Sequence, residues 1–389
     1  MLLSIVALAF GVIAANAQVV GKPFGMAAGT TGGGNAKPVT ATDIKHLASL
    51  LADDVPRVIL INKEMNFIGS EGKKTEAGCD RKSCPVSKGG QGYIGTLSCA
   101  AGDTTITPMK ITYDAAGPNP LKVGSNKSIV GVGSKGVLKG KGLRLNGAKN
   151  VIIQNIFITD LNPQYVWGGD AITLQNTDNI WIDHCKFSLI GRQHIVSGWD
   201  PAGRVTISNN EFDGRDNWSA SCNGQHYWTL LLIGSKDAYT FSGNWLHDLS
   251  GRAPHYGTDK NGATNVFHAV NNLFENMSGH AFDIEPSTWS LIEGNAFVNV
   301  KQPMTPDSST RANQIFDVPA GSESACKSII GRNCVPNSLD SKSGKLGGLK
   351  ENAALTQIKK DGGNNVVAAA AVNGVAASVK KNAGIGKIN

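Results

Sequence analysis

Between Trp167 and Arg252 the chain gathers side chains able to do chemistry. WGGDAITL carries Trp167 and Asp170, WIDHCKFSLIGRQH carries Arg192, SCNGQHYW carries Trp228, and SGRAPH carries Arg252 and His255. Guanidinium groups are fixed cations that can be aimed at negative charge as it develops. A carboxylate can orient such a group through charge-assisted hydrogen bonds, and indoles offer broad flat apolar faces. Taken one at a time, these residues read as surface ion pairs and core aromatics. Their recurrence on one repeating framework marks this stretch as an active face.

Other motifs point away from common chemistries. Gly131, Gly133 and Gly136 spell G-x-G-x-x-G, but VLKGKGLRL follows, a strand-like segment instead of the helix that would receive a pyrophosphate. The chain contains no G-x-S-x-G, no H-E-x-x-H and no paired C-x-x-C, so serine hydrolase and zinc chemistry lack local support. His184, inside a strand-like run, reads as a hydrogen-bonded structural histidine. Asp183 beside it alternates to the other face and braces a loop.

The elements that must position these residues are repetitive. KNVIIQNIFITDL, DNIWIDHCKFSLI, GRVTISNNEFDG, AYTFSGNWLHDL, TNVFHAVNNLFENM and WSLIEGNAFVNV share alternating apolar positions around a central Asn or His, marked by Asn155, His184, Asn210, Asn244, Asn272 and Asn295. The marks recur roughly every two to three dozen residues, a solenoid spacing. An all-β, right-handed parallel β-helix satisfies the pattern: apolar rungs stack coil on coil, asparagines form a ladder at the bends, and loops emerge along one side. Trp181 and Trp245 lie on these strand runs and read as core. Ahead of the repeats, the spacing of Ile44, Leu47, Leu50 and Leu51 predicts a helix over Val39 to Leu51 with Thr42 as its cap, suited to closing one solenoid end. Arg57 to Phe67 reads as a first strand. Gly69 to Met109, rich in Gly, Ser, Lys and Cys with little periodicity, reads as a disulfide-pinned excursion.

The chain has 389 residues, 47 of them glycine, and a formal charge of +7. Its length and lack of an obvious linker suit one long domain over residues 18–389. The excess of Lys and Arg would attract a polyanion or serve only solubility. Residues 1–17 form an apolar run ending in Ala15-Asn16-Ala17, a small-x-small cleavage signature, and read as a signal peptide. Nothing later is long and apolar enough to span a membrane, so secretion is expected. Seven cysteines in an exported chain imply three disulfides and one free thiol, with Cys185 in WIDHCKF the odd one. Sequons at Asn126, Asn217 and Asn276 permit glycosylation.

WGGDAITL, WIDHCKF, GRQH, NGQHYW, SGRAPH and SGHAFDIE, in this order, resemble the fungal-type pectin lyases of the pectate lyase superfamily. The resemblance runs from GMAAGTTGGG and VTATDIKHLASLLADD to the terminal NAGIGKI. It implies a secreted, monomeric polysaccharide lyase that cuts methyl-esterified galacturonan by β-elimination, with pectin as its partner and neither nucleic acid nor membrane. It also implies a helix along the solenoid within Asn364 to Lys387, which composition alone reads as an Ala-rich tail. The cysteines would pair Cys79 with Cys99, Cys84 with Cys222 and Cys326 with Cys334.

By the same resemblance, Arg252 takes the C5 proton of a galacturonate, Arg192 stabilises the charge developing on its carboxyl oxygen, and Asp170 orients Arg192. Trp167, Trp228 and His255 line the cleft. Related pectate lyases hold calcium after the WIDH strand; here SLIGRQHIVSG supplies Arg192 and no acid before Asp200, so no metal or other cofactor is expected. The family's usual lysine is replaced by His255, and CDRKSC lacks its usual tryptophans. The alternatives are a calcium-dependent pectate lyase, a polygalacturonase, which would need clustered aspartates, and a non-catalytic wall-binding β-helix.

Overall fold

The computed structural model describes residues 18–388 except 259, 261 and 311–313; the signal-peptide reading of residues 1–17 falls outside this range. Parallel strands stack into a β-helix, and its inward columns show why. On the ten-stranded sheet, Ile59, Ile129, Ile153, Ile182, Ile207, Phe241, Ala269 and Ile292 align strand by strand. All of them are fully buried. β-branched and aromatic side chains suit this stacked, pleated interior, and their apolar area supplies the driving force at roughly 25 cal/mol per Å².

A second continuous sheet forms two further walls, because the strand Leu273–Ile284 runs through both. One wall carries Phe157–Leu161, Lys186–Ile190, Glu211–Asp213 and Trp245–His247. The other, the cleft wall, carries Leu121–Val123, Leu143–Asn146, Ile172–Gln175, Ile195–Ser197, Leu230–Leu232 and His255–Tyr256.

At one bend, Asn155, His184, Asn209 and Asn271 adopt φ of 59°, 50°, 52° and 53°, with Gly243 and Gly294 at the same corner. Left-handed backbone favours Asn, His and Gly, which explains the recurrent residue types. The ladder occupies the next position along. Asn210, Asn244, Asn272 and Asn295 each pass an Nδ2–H to the Oδ1 of the next, ending at Asn337, at 2.9–3.0 Å. Asn155 and His184 therefore mark the turn, not the ladder, and at the ladder position of the His184 coil stands Cys185, whose N–H donates to Asn210. Asp183 does brace its loop, accepting from Gln154, Ser208 and Asn209 and bonding the His184 ring.

The capping helix spans Ile44–Ala52, and its N-cap is Asp43, which accepts from the N–H groups of Lys45 and His46. A carboxylate here also complements the helix dipole, so Thr42 is displaced by one residue. Val39–Thr40 belongs to the sheet beside Arg57–Ile61. The expected first strand is two strands, Arg57–Ile61 and Glu64–Asn66, on different walls. The cysteine-rich excursion is more regular than its composition predicts: Lys73–Arg81 pairs antiparallel with Ile106–Asp114 through nine residue pairs, with Gly92–Ile94 on its other edge. Lysines and threonines on an exposed ribbon hide its alternation.

The disulfides are Cys79–Cys99, Cys84–Cys222 and Cys326–Cys334, with Cys185 buried and free. Trp181 and Trp245 point outward from their coils. Trp181 is covered by Phe24 and Ala27, Trp245 by the region of the terminal helix Val375–Asn382, which lies along the solenoid as expected.

Candidate active site

The cleft residues come from the turns that lead into four successive strands of the cleft wall. Because Ile172 pairs with Ile195, Ile195 with Leu230, and Leu231 with His255, the residues just before each strand, including Asp170, Arg192, Trp228 and Arg252, arrive side by side. A stack of parallel strands about 4.8 Å apart thus converts long sequence separation into adjacency.

Arg192 donates from Nε and Nη2 to the two oxygens of Asp170 at 2.9 and 2.8 Å, a bidentate pair. Asp170 also accepts the Gln193 N–H at 2.9 Å. The Arg192 guanidinium lies 4.0 Å over the Trp167 ring. Arg252 sits 4.8 Å over Trp228 and 5.7 Å over Tyr227. The Gln193 amide fits with its oxygen on Arg252 Nη1 at 3.0 Å and its nitrogen toward the Trp228 carbonyl at 3.3 Å, so Gln193 links the two arginines. Asp170, Arg192 and Arg252 are thus neighbours on one wall, with Gln193 between the two arginines.

Burial holds the Arg252 guanidinium below its ordinary range. The nearby Tyr227 works against this, and the positive charge of Arg192 adds to it. Arg252 is also backbone-constrained: φ is 48°, and its N–H donates to His280 Nε2 at 3.0 Å. Beneath the site, His226 Nε2–H bridges the carbonyls of Arg192 and Trp228 at 2.7 and 3.1 Å, and its ring stacks on His194 at 4.7 Å.

Both indoles are fixed from the excursion. Trp167 donates to Ser98 Oγ and Trp228 to Gln91 Oε1, each at 3.0 Å. His255 stands on the same wall, bonded to Asp283 at 2.6 Å. Sequence reasoning missed Gln91, Ser98, Gln193, Tyr227, His280 and Asp283 as supporting residues. The last two stand in SGHAFDIE, where an Asp three residues after a His was a readable signal.

The donor set around Asp170 does not fit calcium, which takes six to eight oxygens: Asp170 is committed to Arg192 and Gln193. Among the described residues two other groupings have ligand geometry. Glu211, Asp213 and His247 are paired with Lys186 and Arg215. His255, Asp283 and Glu285 supply only two carboxylates.

The pectate lyase family model matches residues 1–387. Among curated relatives, probable pectin lyase F-1 of Aspergillus terreus is 58% identical over 85% of this chain and 86% of its own length. Probable pectin lyase F of Neosartorya fischeri is 52% identical over 96% and 97%. Among solved structures, pectate lyase Bsp165PelA from Bacillus sp. N165, in complex with trigalacturonate, superimposes with a TM-score of 0.55 at 18% identity, covering 94% of this chain and all of that one; this likeness concerns the fold. The chain belongs to the pectate lyase family.

Proposed function

We propose that this protein is a pectin lyase, a polysaccharide lyase that cleaves methyl-esterified galacturonan by β-elimination. The observation carrying this reading is the juxtaposition of Arg252 with the Asp170-held Arg192 between two fixed indoles. The C5 proton passes to the neutral guanidine of Arg252, the C5–H electron pair becomes the C4=C5 double bond, and the C4–O bond breaks as the departing oxygen takes up a proton. Charge gathers on the ester carbonyl oxygen during this step, and Arg192, already oriented by Asp170, stabilises it without reorganising. Burial of Arg252 favours the neutral form that a base needs. A methyl ester brings no negative charge of its own, so one guanidinium suffices. Trp167 and Trp228 offer faces for sugar rings and methyl groups.

Incubation with highly methylated pectin and with polygalacturonate, each with and without chelator, tests this. The expected result is ultraviolet absorbance of unsaturated product from the esterified polymer, unaffected by chelator. Chelator-sensitive product from polygalacturonate alone would overturn it. The enzyme is read as secreted and monomeric. Three disulfides suit an oxidising compartment, and among the described residues no helix is long and apolar enough to cross a membrane. Of the three sequons, Asn217 and Asn276 are exposed and Asn126 is half-buried; Asn126 and Asn276 accept hydrogen bonds from Asn150 and Asn299.

A further inference from the structure

The outward row of the cleft wall changes character from end to end. Arg144, Thr173, Val196, Leu231, His255 and Asp283 occupy one register line across successive strands. Lys122 extends the line beyond Arg144, and Glu285 lies two residues past Asp283 on the strand side that alternates with Ile284. The floor thus carries two cations at one end, uncharged side chains in the middle and the His255–Asp283 pair at the other.

Three features single out Arg144. It is exposed between buried Leu143 and Leu145, so it points outward. It lines a cavity of about 390 Å³ shared with Trp167, Asp170 and Arg192. Its Nη2 donates to Gln175 Oε1 at 2.7 Å, which orients the guanidinium while leaving most of its five donors for other partners. Arg192 in the same cavity is neutralised by Asp170, but among the described residues no carboxylate lies within ion-pair distance of Arg144 or Lys122. Like charges side by side on neighbouring strands are destabilising. Two cations placed this way without a counter-ion form a binding feature for an anion.

We infer that the Arg144 end of the cleft is a subsite for a galacturonate bearing a free carboxylate. This rests on reading the cleft as a galacturonan site. Arg144 lies two strands, about 10 Å, from the strand that follows Arg192, so the unit it recognises lies outside the reacting pair. The enzyme would then read the pattern of esterification along the polymer as well as its extent. Guanidinium suits the role because it meets a carboxylate in bidentate fashion.

The test uses hexagalacturonates esterified at every position but one, with the free acid toward either end, and compares kcat/KM for the two isomers. Binding of both, read by tryptophan fluorescence, is measured alongside. The wild-type protein is expected to prefer one isomer by about three- to fivefold, the size of an exposed charge pair, through KM, and less at high salt. Arg144→Gln, which retains a side-chain amide for Gln175 on an exposed strand face, should abolish that ratio in both readouts. Equal handling of the isomers by the wild type, or an unchanged ratio in Arg144→Gln, overturns the inference. Absence of unsaturated product from any esterified hexamer would instead defeat the lyase reading, and the binding ratio would still decide the role of Arg144.

Discussion

An arginine acts as a base only if its neutral form is within reach, and Arg252 is half-buried beside a second arginine, which lowers its pKa. Replacing Arg252 with Ala should lower kcat by about 10²–10⁴-fold, the range for a positioned base, while the far-ultraviolet circular dichroism spectrum stays unchanged. Because burial and the Arg192 charge lower the guanidinium's pKa, its neutral fraction grows as pH rises, and kcat/KM on fully esterified oligomers should climb with pH. A flat profile would place the base elsewhere. Asp170→Ala should cost about 10²–10³-fold, comparable to losing one preorganised charge-stabilising group, since Arg192 loses both of its carboxylate contacts. Gly251 shows how tightly this corner is built: a Cβ there would lie 2.5 Å from the Tyr227 ring, so Gly251→Ala should impair kcat by displacing Arg252 and leave the melting temperature much less affected.

Coils hold these residues, and the asparagine ladder holds the coils in step. Asn244 accepts from both the backbone and the side-chain nitrogen of Asn210 and donates to Ile207 and Asn272, all fully buried. Asn244→Ala leaves Asn210 without those acceptors and should destabilise the protein by about 1–3 kcal/mol, measured by denaturant unfolding. The ladder also shows what sequence can and cannot reveal. Repeated Asn and alternating Ile announced a solenoid, because stacking demands the same residue at each coil. They did not separate the left-handed turn from the rung beside it, since Asn serves both and His184 or Gly243 can replace it only at the turn. Arg192, Arg252 and Asp170 were legible through uncommon motifs. Gln91 and Ser98, which fix the indoles, were not, because their roles depend on where a polar ribbon folds back, and polar ribbons carry little hydrophobic pattern.

Over the whole molecule, buried titratable groups set opposing pH limits. Burial holds His226 down at about 4 and His194 well below its ordinary value. The unfolded chain, with histidine near 6.5, therefore binds more protons, and stability present above pH 6.5 is lost as pH falls toward 4. Burial raises Asp237 to about 7; here the folded state binds the extra proton, so stability declines as pH rises from about 4 through 7. His194, whose ring nitrogens have no hydrogen-bond partner among the described residues and whose ring stacks with Phe187, Phe212 and His226, should tolerate Phe, and His194→Phe should raise the melting temperature below pH 6.5. Asp237→Asn, which can still accept from Ala202 N–H and bond Ser197, should raise it above pH 7. The in-step columns have a further consequence for insertions and deletions. Removing one residue from Asp178–Asp183 would exchange Ile180 and Ile182 for Trp181 on the inner face and put this coil out of step with its neighbours. Lineages of such a chain can gain or lose length at the corners, or by a full turn of the coil, and the walls themselves have to change by substitution alone.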